Sequence, residues 1–158
     1  MTDASFHDGR EAPLNLGAED SNDLQVIATL TQDAVFPVTE MSWRPSQRRF
    51  ALLLNRFRWE DKEAATRRNR AFERVQAVLV FESVLSVASQ GIDRSEKDMI
   101  LSLLSIEFEP GEDGAGDVLL TLAGDGAIRL RVEALDATLK DVTRPYRAPS
   151  GHAPHHPD

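Results

Sequence analysis

Acid–base and nucleophilic chemistry near neutral pH usually runs through histidine or cysteine, and the positions of both in this chain exclude a great deal. Histidine occurs only as His7, His152, His155 and His156, and cysteine is absent. Between residues 8 and 151 there is thus no imidazole, so the central chain holds neither a Ser-His-Asp triad nor a histidine-rich metal site. Without thiols there is no disulfide, thiolate metal site or thiol nucleophile. The last three histidines sit among prolines, where a solvated tail is expected. The acidic, glycine-rich run from Gly111 to Asp117 lacks the Gly-Lys-Ser/Thr of a phosphate loop. It also lacks the spaced ligands and closing glutamate of an EF-hand, and reads as a hairpin loop. Glu107 and Glu109 alternate outward on an extended run, where two carboxylates do acid–base work only inside a pocket. The sequence therefore assigns no catalytic residue, no metal ligand and no cofactor.

Binding chemistry remains. Trp43, Phe57 and Trp59 are interleaved with Arg44, Arg48, Arg49, Arg56 and Arg58. Aromatics among arginines can stack bases and hold phosphates. Simple alternation along a strand, with an apolar face in the core and a basic face in solvent, produces the same pattern. Asn55 lies between Leu53 and Phe57 on the expected inner face. A buried amide must find partners, either in neighbouring backbone or in a ligand. The candidate ligand- or partner-binding residues are Trp43, Arg49, Asn55, Arg56, Arg58 and Trp59.

Charge bounds the partners. Residues 44–74 carry nine Arg and one Lys against four carboxylates, an excess of six positive charges in a chain whose net charge is −8. The acidity of the rest makes nucleic acid an unlikely partner, and the arginines have many carboxylates of the same molecule to pair with. The N-terminal residues contain no apolar signal segment, and no run approaches the ~18 apolar residues of a membrane span. The expectation is a cytoplasmic protein without membrane association.

The elements follow from periodicity. A length of 158 residues suits one domain. Residues 1–12 read as a disordered tail, 13–145 as a single α+β domain, and 146–158 as a flexible His/Pro-rich tail. Ser21 is placed to cap a helix over about 21–34, with Leu24, Ile27 and Leu30 at helical spacing. Val38–Trp43 and Arg49–Trp59 flank a proline-containing turn as a hairpin, its second strand apolar on both faces at Phe50–Leu54 and emerging into solvent with Arg56 and Arg58 outward. Residues 60–74 read as a solvated loop or loose helical turn. Val75–Phe81 and Val84–Ile92 are two strands or one bent strand, and residues 101–109 a strand after a short turn or helix. Val118–Ala123 and Ala127–Ala134 alternate around Gly124-Asp125-Gly126 as a tight hairpin. Leu135, Leu139 and Val142 suggest a short helical segment.

The predicted architecture is an N-terminal helix packed on a curved, mainly antiparallel sheet of six or seven strands. Such a sheet can close partly into a barrel of the pleckstrin-homology kind.

Four segments carry a resemblance: Arg48-Arg49-Phe50-Ala51-Leu52-Leu53-Leu54-Asn55-Arg56-Phe57-Arg58-Trp59-Glu60, Ser89-Gln90-Gly91-Ile92-Asp93, Ile106-Glu107-Phe108-Glu109-Pro110-Gly111-Glu112, and Gly126-Ala127-Ile128-Arg129-Leu130. With them the chain resembles, over about residues 14–145, an uncharacterised alphaproteobacterial family, domain of unknown function 2948. The resemblance implies a small bacterial protein and transfers no site residue. The leading expectation is a non-catalytic binding or protein-interaction module whose partner is another protein or a second copy of the chain in a homodimer. Its alternatives are a small enzyme using carboxylates, Arg or Tyr146, and an RNA-contacting accessory protein using residues 43–59.

Overall fold

Alternating apolar and polar side chains dominate the computed structural model, which describes residues 13–69 and 71–147. The strands are β1 (Asn15–Ala18), β2 (Val35–Pro37), β3 (Met41–Arg44), β4 (Arg49–Phe57), β5 (Glu73–Phe81), β6 (Val84–Gln90), β7 (Ile100–Pro110), β8 (Gly116–Leu122), β9 (Ala127–Val132), β10 (Ala137–Asp141) and β11 (Tyr146–Arg147). Helix α1 (Ser21–Thr31) follows β1, and α2 (Lys62–Arg67) links β4 to β5. The strands pair antiparallel in the order β1-β10-β5-β4-β2-β7-β8-β9-β6, with β11 beside β5 and β3 beside β4.

One face of this curved sheet makes the core. Phe50, Leu52 and Leu54 of β4 face Ala77, Leu79 and Phe81 of β5 as register neighbours, and all six are buried. Val118, Leu120 and Leu122 of β8 lie beside Ile128 and Leu130 of β9, likewise buried. Helix α1 closes the core from one side, burying Leu24, Ile27, Ala28 and Thr31, a stripe at three- and four-residue spacing. The β8–β9 turn places Gly124 and Asp125 at φ 79° and 68°, the left-handed pair that a tight hairpin requires.

Several expectations change. The described residues form eleven strands, not six or seven. The additional ones include three-residue β2 and two-residue β11, too short for a period-2 pattern to show. The sheet does not close, since β1 and β6 stand at its two ends. Backbone joins β6 to the β3–β4 turn where Val84 N donates to Arg48 O (2.9 Å). Residues 137–141 are strand β10, not helix: Ala137, Leu139 and Asp141 are buried alternately, and Val142 is exposed. The cap of α1 is Asp20, whose Oδ1 accepts from Asp23 N at 2.8 Å, so Ser21 already lies inside the helix. Residues 60–74, expected as a solvated loop or loose helical turn, contain the short helix α2 after a 3-10 turn at Trp59–Asp61, and bury Asp61 and Ala65. Residues 1–12 and 148–158, which include all four histidines, lie outside the described residues.

Candidate interaction surface

Arg56 and Arg58 turn inward, against the expectation that they face solvent. Alternation fixes which residues share a face, not which face is buried. Arg56 sits on the same side of β4 as Leu52 and Leu54 and is fully buried. Its Nε and Nη2 donate to Asp141 Oδ1 and Oδ2 at 3.0 and 2.9 Å. Nη1 and Nη2 donate to Glu60 Oε1 and Oε2, both at 2.9 Å, and Nη1 reaches Phe57 O at 3.4 Å. A guanidinium has five N–H donors, so none remains for a ligand. Burial acts to lower the pKa of this guanidinium, but the hydrogen bonds and charges of Glu60 and Asp141 outweigh it and hold the value above its usual level. Arg58 pairs with Glu73, and its guanidinium also stands 3.6 Å from Asp61 and 3.8 Å from Glu60. The network binds β4 to β10, to the start of β5 and, through Leu14 N donating to Asp141 Oδ2 (2.9 Å), to the segment before β1.

The other four candidates are scattered. Exposed Arg49 Nε donates to both oxygens of Glu82 at 3.1 Å. Asn55 donates to the Tyr146 hydroxyl and accepts from Arg74 Nη1 (3.2 Å), so its amide is occupied at both ends. Trp59 Nε1 donates to Gln32 O (3.0 Å), its ring meets Phe57 edge-on at 4.8 Å, and the Lys62 ammonium lies over it at 5.6 Å. Trp43 lines a cavity of about 60 Å³ between β3 and β6, with Met41, Phe50, Val87 and Arg94. Elsewhere, exposed Asp93 accepts from the hydroxyl and backbone N–H of Ser95, which hold its carboxyl below the usual range. Among the described residues no group of three or more acidic, His or Cys side chains is placed to hold a metal ion, and no helix is long and apolar enough to cross a membrane.

The surface that sequence reasoning missed is a cleft of about 420 Å³ between α1 and β7. Gln25, Ala28 and Thr29 line it from the helix, and Ser105, Glu107 and Phe108 from the strand. Strand β7 pairs with β8 as far as Pro110, but with β2 only over Ile100–Ser102. Beyond Leu103 its second edge has no strand beside it among the described residues.

Register determines which backbone groups that edge presents. Leu122 N donates to Gly126 O (2.8 Å), and Ala123 N to Ser102 O (2.9 Å). Even-numbered β8 residues therefore turn their backbone to β9, and odd-numbered ones turn theirs to β7. Leu119 and Asp117 lie opposite Glu107 and Glu109, so those two glutamates share the β8 ladder. Ile106 and Phe108 turn their N–H and C=O the other way, toward the cleft. Gln25 Nε2 agrees with this phase, donating to Ile106 O at 3.3 Å. A free strand edge is a ready template for another chain. Its sequence signal was present in Glu107, Glu109 and Pro110, since charges and proline are typical of edge strands.

A family model described as Protein of unknown function (DUF2948) matches residues 14–156. No curated protein and no solved structure matches the chain.

Proposed function

For a chain that belongs to the DUF2948 family, we propose that the function is non-catalytic: a cytoplasmic interaction module that takes a partner polypeptide as an added strand on the free edge of β7. The observation that carries this reading is the edge at Ile106 and Phe108, which among the described residues has no strand beside it and only the Gln25 side chain bonded to Ile106 O, set beside a cleft wide enough for side chains. Strand addition draws affinity from main-chain hydrogen bonds and specificity from pockets that take alternate side chains, and edge and cleft supply one each. The arginines support a polypeptide over RNA. Arg48, Arg49, Arg56, Arg58 and Arg67 all pair with carboxylates of the same chain.

The test begins with octapeptides selected from a random library on the immobilised protein. Phe108→Pro removes the N–H that faces the cleft and leaves the β8 ladder intact, whereas Phe108→Ala removes the ring and keeps the N–H. Selected peptides should weaken about tenfold on Phe108→Pro, the equivalent of one lost hydrogen bond, and less on Phe108→Ala. The Phe108 amide should gain protection from hydrogen exchange when a peptide binds. A homodimer abolished by the same proline would identify a second copy as the occupant. Binders indifferent to Phe108→Pro would refute the site.

A further inference from the structure

Resting on that reading, we infer that the occupant is an extended segment in which basic side chains alternate with small apolar ones. The two faces of β7 differ in chemistry at its free edge. Ile106 and Phe108 point to the core side, the first fully buried and the second packed against the core. Glu107 and Glu109 point to the opposite side and are exposed. A strand added to this edge continues the pleat, so its own side chains alternate between these two environments.

Inward side chains of the added strand enter the cleft against Ala28 and Thr29 of α1 and the flank of Phe108. The volume of about 420 Å³ is shared among several side chains, which favours small apolar ones. Outward side chains stand beside Glu107 and Glu109. Among the described residues no ion pair reaches Glu107, and Glu109 has only Arg129 at 3.4 Å, which itself sits closer to Asp117 at 2.6 Å. None of the cleft-lining residues is basic. Opposite charges in directly facing cross-strand positions are favourable, and here the unpaired Glu107 and the Glu109 that shares Arg129 with Asp117 make the added strand's complement cationic. The chain's net charge of −8 attracts the same class of segment at longer range.

The probes are three capped octapeptides in which valine alternates with lysine, threonine or glutamate. Each is titrated against the full chain, against Phe108→Pro, and against Glu107→Gln/Glu109→Gln. A fourth protein, Glu107→Lys/Glu109→Lys, is used if circular dichroism shows it folded. The lysine peptide should bind the native chain about five- to thirtyfold more tightly than the threonine peptide, from up to about fivefold per facing charge pair. The glutamate peptide should bind most weakly. The preference should vanish in the Gln/Gln variant and invert in the Lys/Lys variant, and Phe108→Pro should weaken all three peptides. Equal binding of the lysine and threonine peptides, still sensitive to Phe108→Pro, would overturn the cationic inference and leave strand addition standing. A lysine preference that survives in the Gln/Gln variant would overturn it too, as attraction by the overall charge. Binding insensitive to Phe108→Pro, or no binding by any probe, would overturn both.

Discussion

Removing Asp141 is the sharpest test of the claim that Arg56 is a structural cation. Asp141→Leu deletes the carboxylate that accepts from Arg56 Nε at 3.0 Å, Arg56 Nη2 at 2.9 Å and Leu14 N at 2.9 Å. Arg56 has no exposure to water through which to recover. Removing one partner of a buried ion pair costs about 3–5 kcal/mol. Glu60 still holds Arg56 with both oxygens at 2.9 Å, which places the loss at the lower end, about 3 kcal/mol. The half-buried Leu14 N–H left without its acceptor adds about 1 kcal/mol. A total near 4 kcal/mol is a large part of the roughly 5–15 kcal/mol that stabilises a typical domain. Glu60 keeps 29% side-chain exposure, so Glu60→Gln, which retains an acceptor, should cost only about 1 kcal/mol. The double variant Arg56→Met/Asp141→Leu replaces both buried charges with apolar groups, which is often close to neutral. It should recover about 2–3 kcal/mol relative to Asp141→Leu, with the remaining loss assigned to Leu14 N–H. Urea denaturation followed by tryptophan fluorescence compares the native chain with these three variants, and the single variant Arg56→Met completes the double-mutant cycle. A loss below about 1 kcal/mol in Asp141→Leu, or no recovery in the double variant, would refute the reasoning.

Two further perturbations test the packing. Leu52→Ala should lose about 2–5 kcal/mol while Leu53→Ala loses less than half as much, because Leu52 is fully buried and Leu53 only half so; equal losses by denaturant titration would contradict the assignment of faces on β4. Gly116→Ala should cost about 1–3 kcal/mol, since its new Cβ would lie within 2.9 Å of the Phe108 ring; an unchanged melting temperature would show that β7 and β8 are less tightly apposed there.

The sequence made some elements legible and not others, for identifiable reasons. The β3–β4 and β8–β9 hairpins declare themselves because strand, turn chemistry and returning strand are contiguous. The α1 stripe is equally local. The inward placement of Arg56 was not legible, because its partner Asp141 lies 85 residues away and no local pattern forecasts that a carboxylate will meet it. Long sequence separation also hid β10. Leu135, Leu139 and Val142 fit a helical spacing, while pairing of Ala137–Asp141 with the buried strand β5 selects the alternate set of side chains instead. The expectation that the arginines are balanced within the molecule rested on charge totals alone, which carry no coordinates for the pairs.

The free edge of β7 belongs to this long-range class and has a local cause. The chain leaves α1 through Asp33, whose φ of 65° is left-handed and whose N–H donates to Leu103 O at 2.7 Å. Leu103 N then donates to Ala34 O at 2.9 Å, and β2 runs antiparallel to β7 from Val35 to Pro37. The chain before the Gln32–Asp33 turn is helix α1, so β2 cannot extend along β7 past Leu103. The helix lies beside the remaining edge instead, and a helix carries no strand-pairing groups because its own turns consume them. The side-chain amide of Gln25 makes the one described substitute bond, to Ile106 O. The position of the left-handed turn thus decides where sheet pairing stops, and with it how much of the edge stays free for another chain.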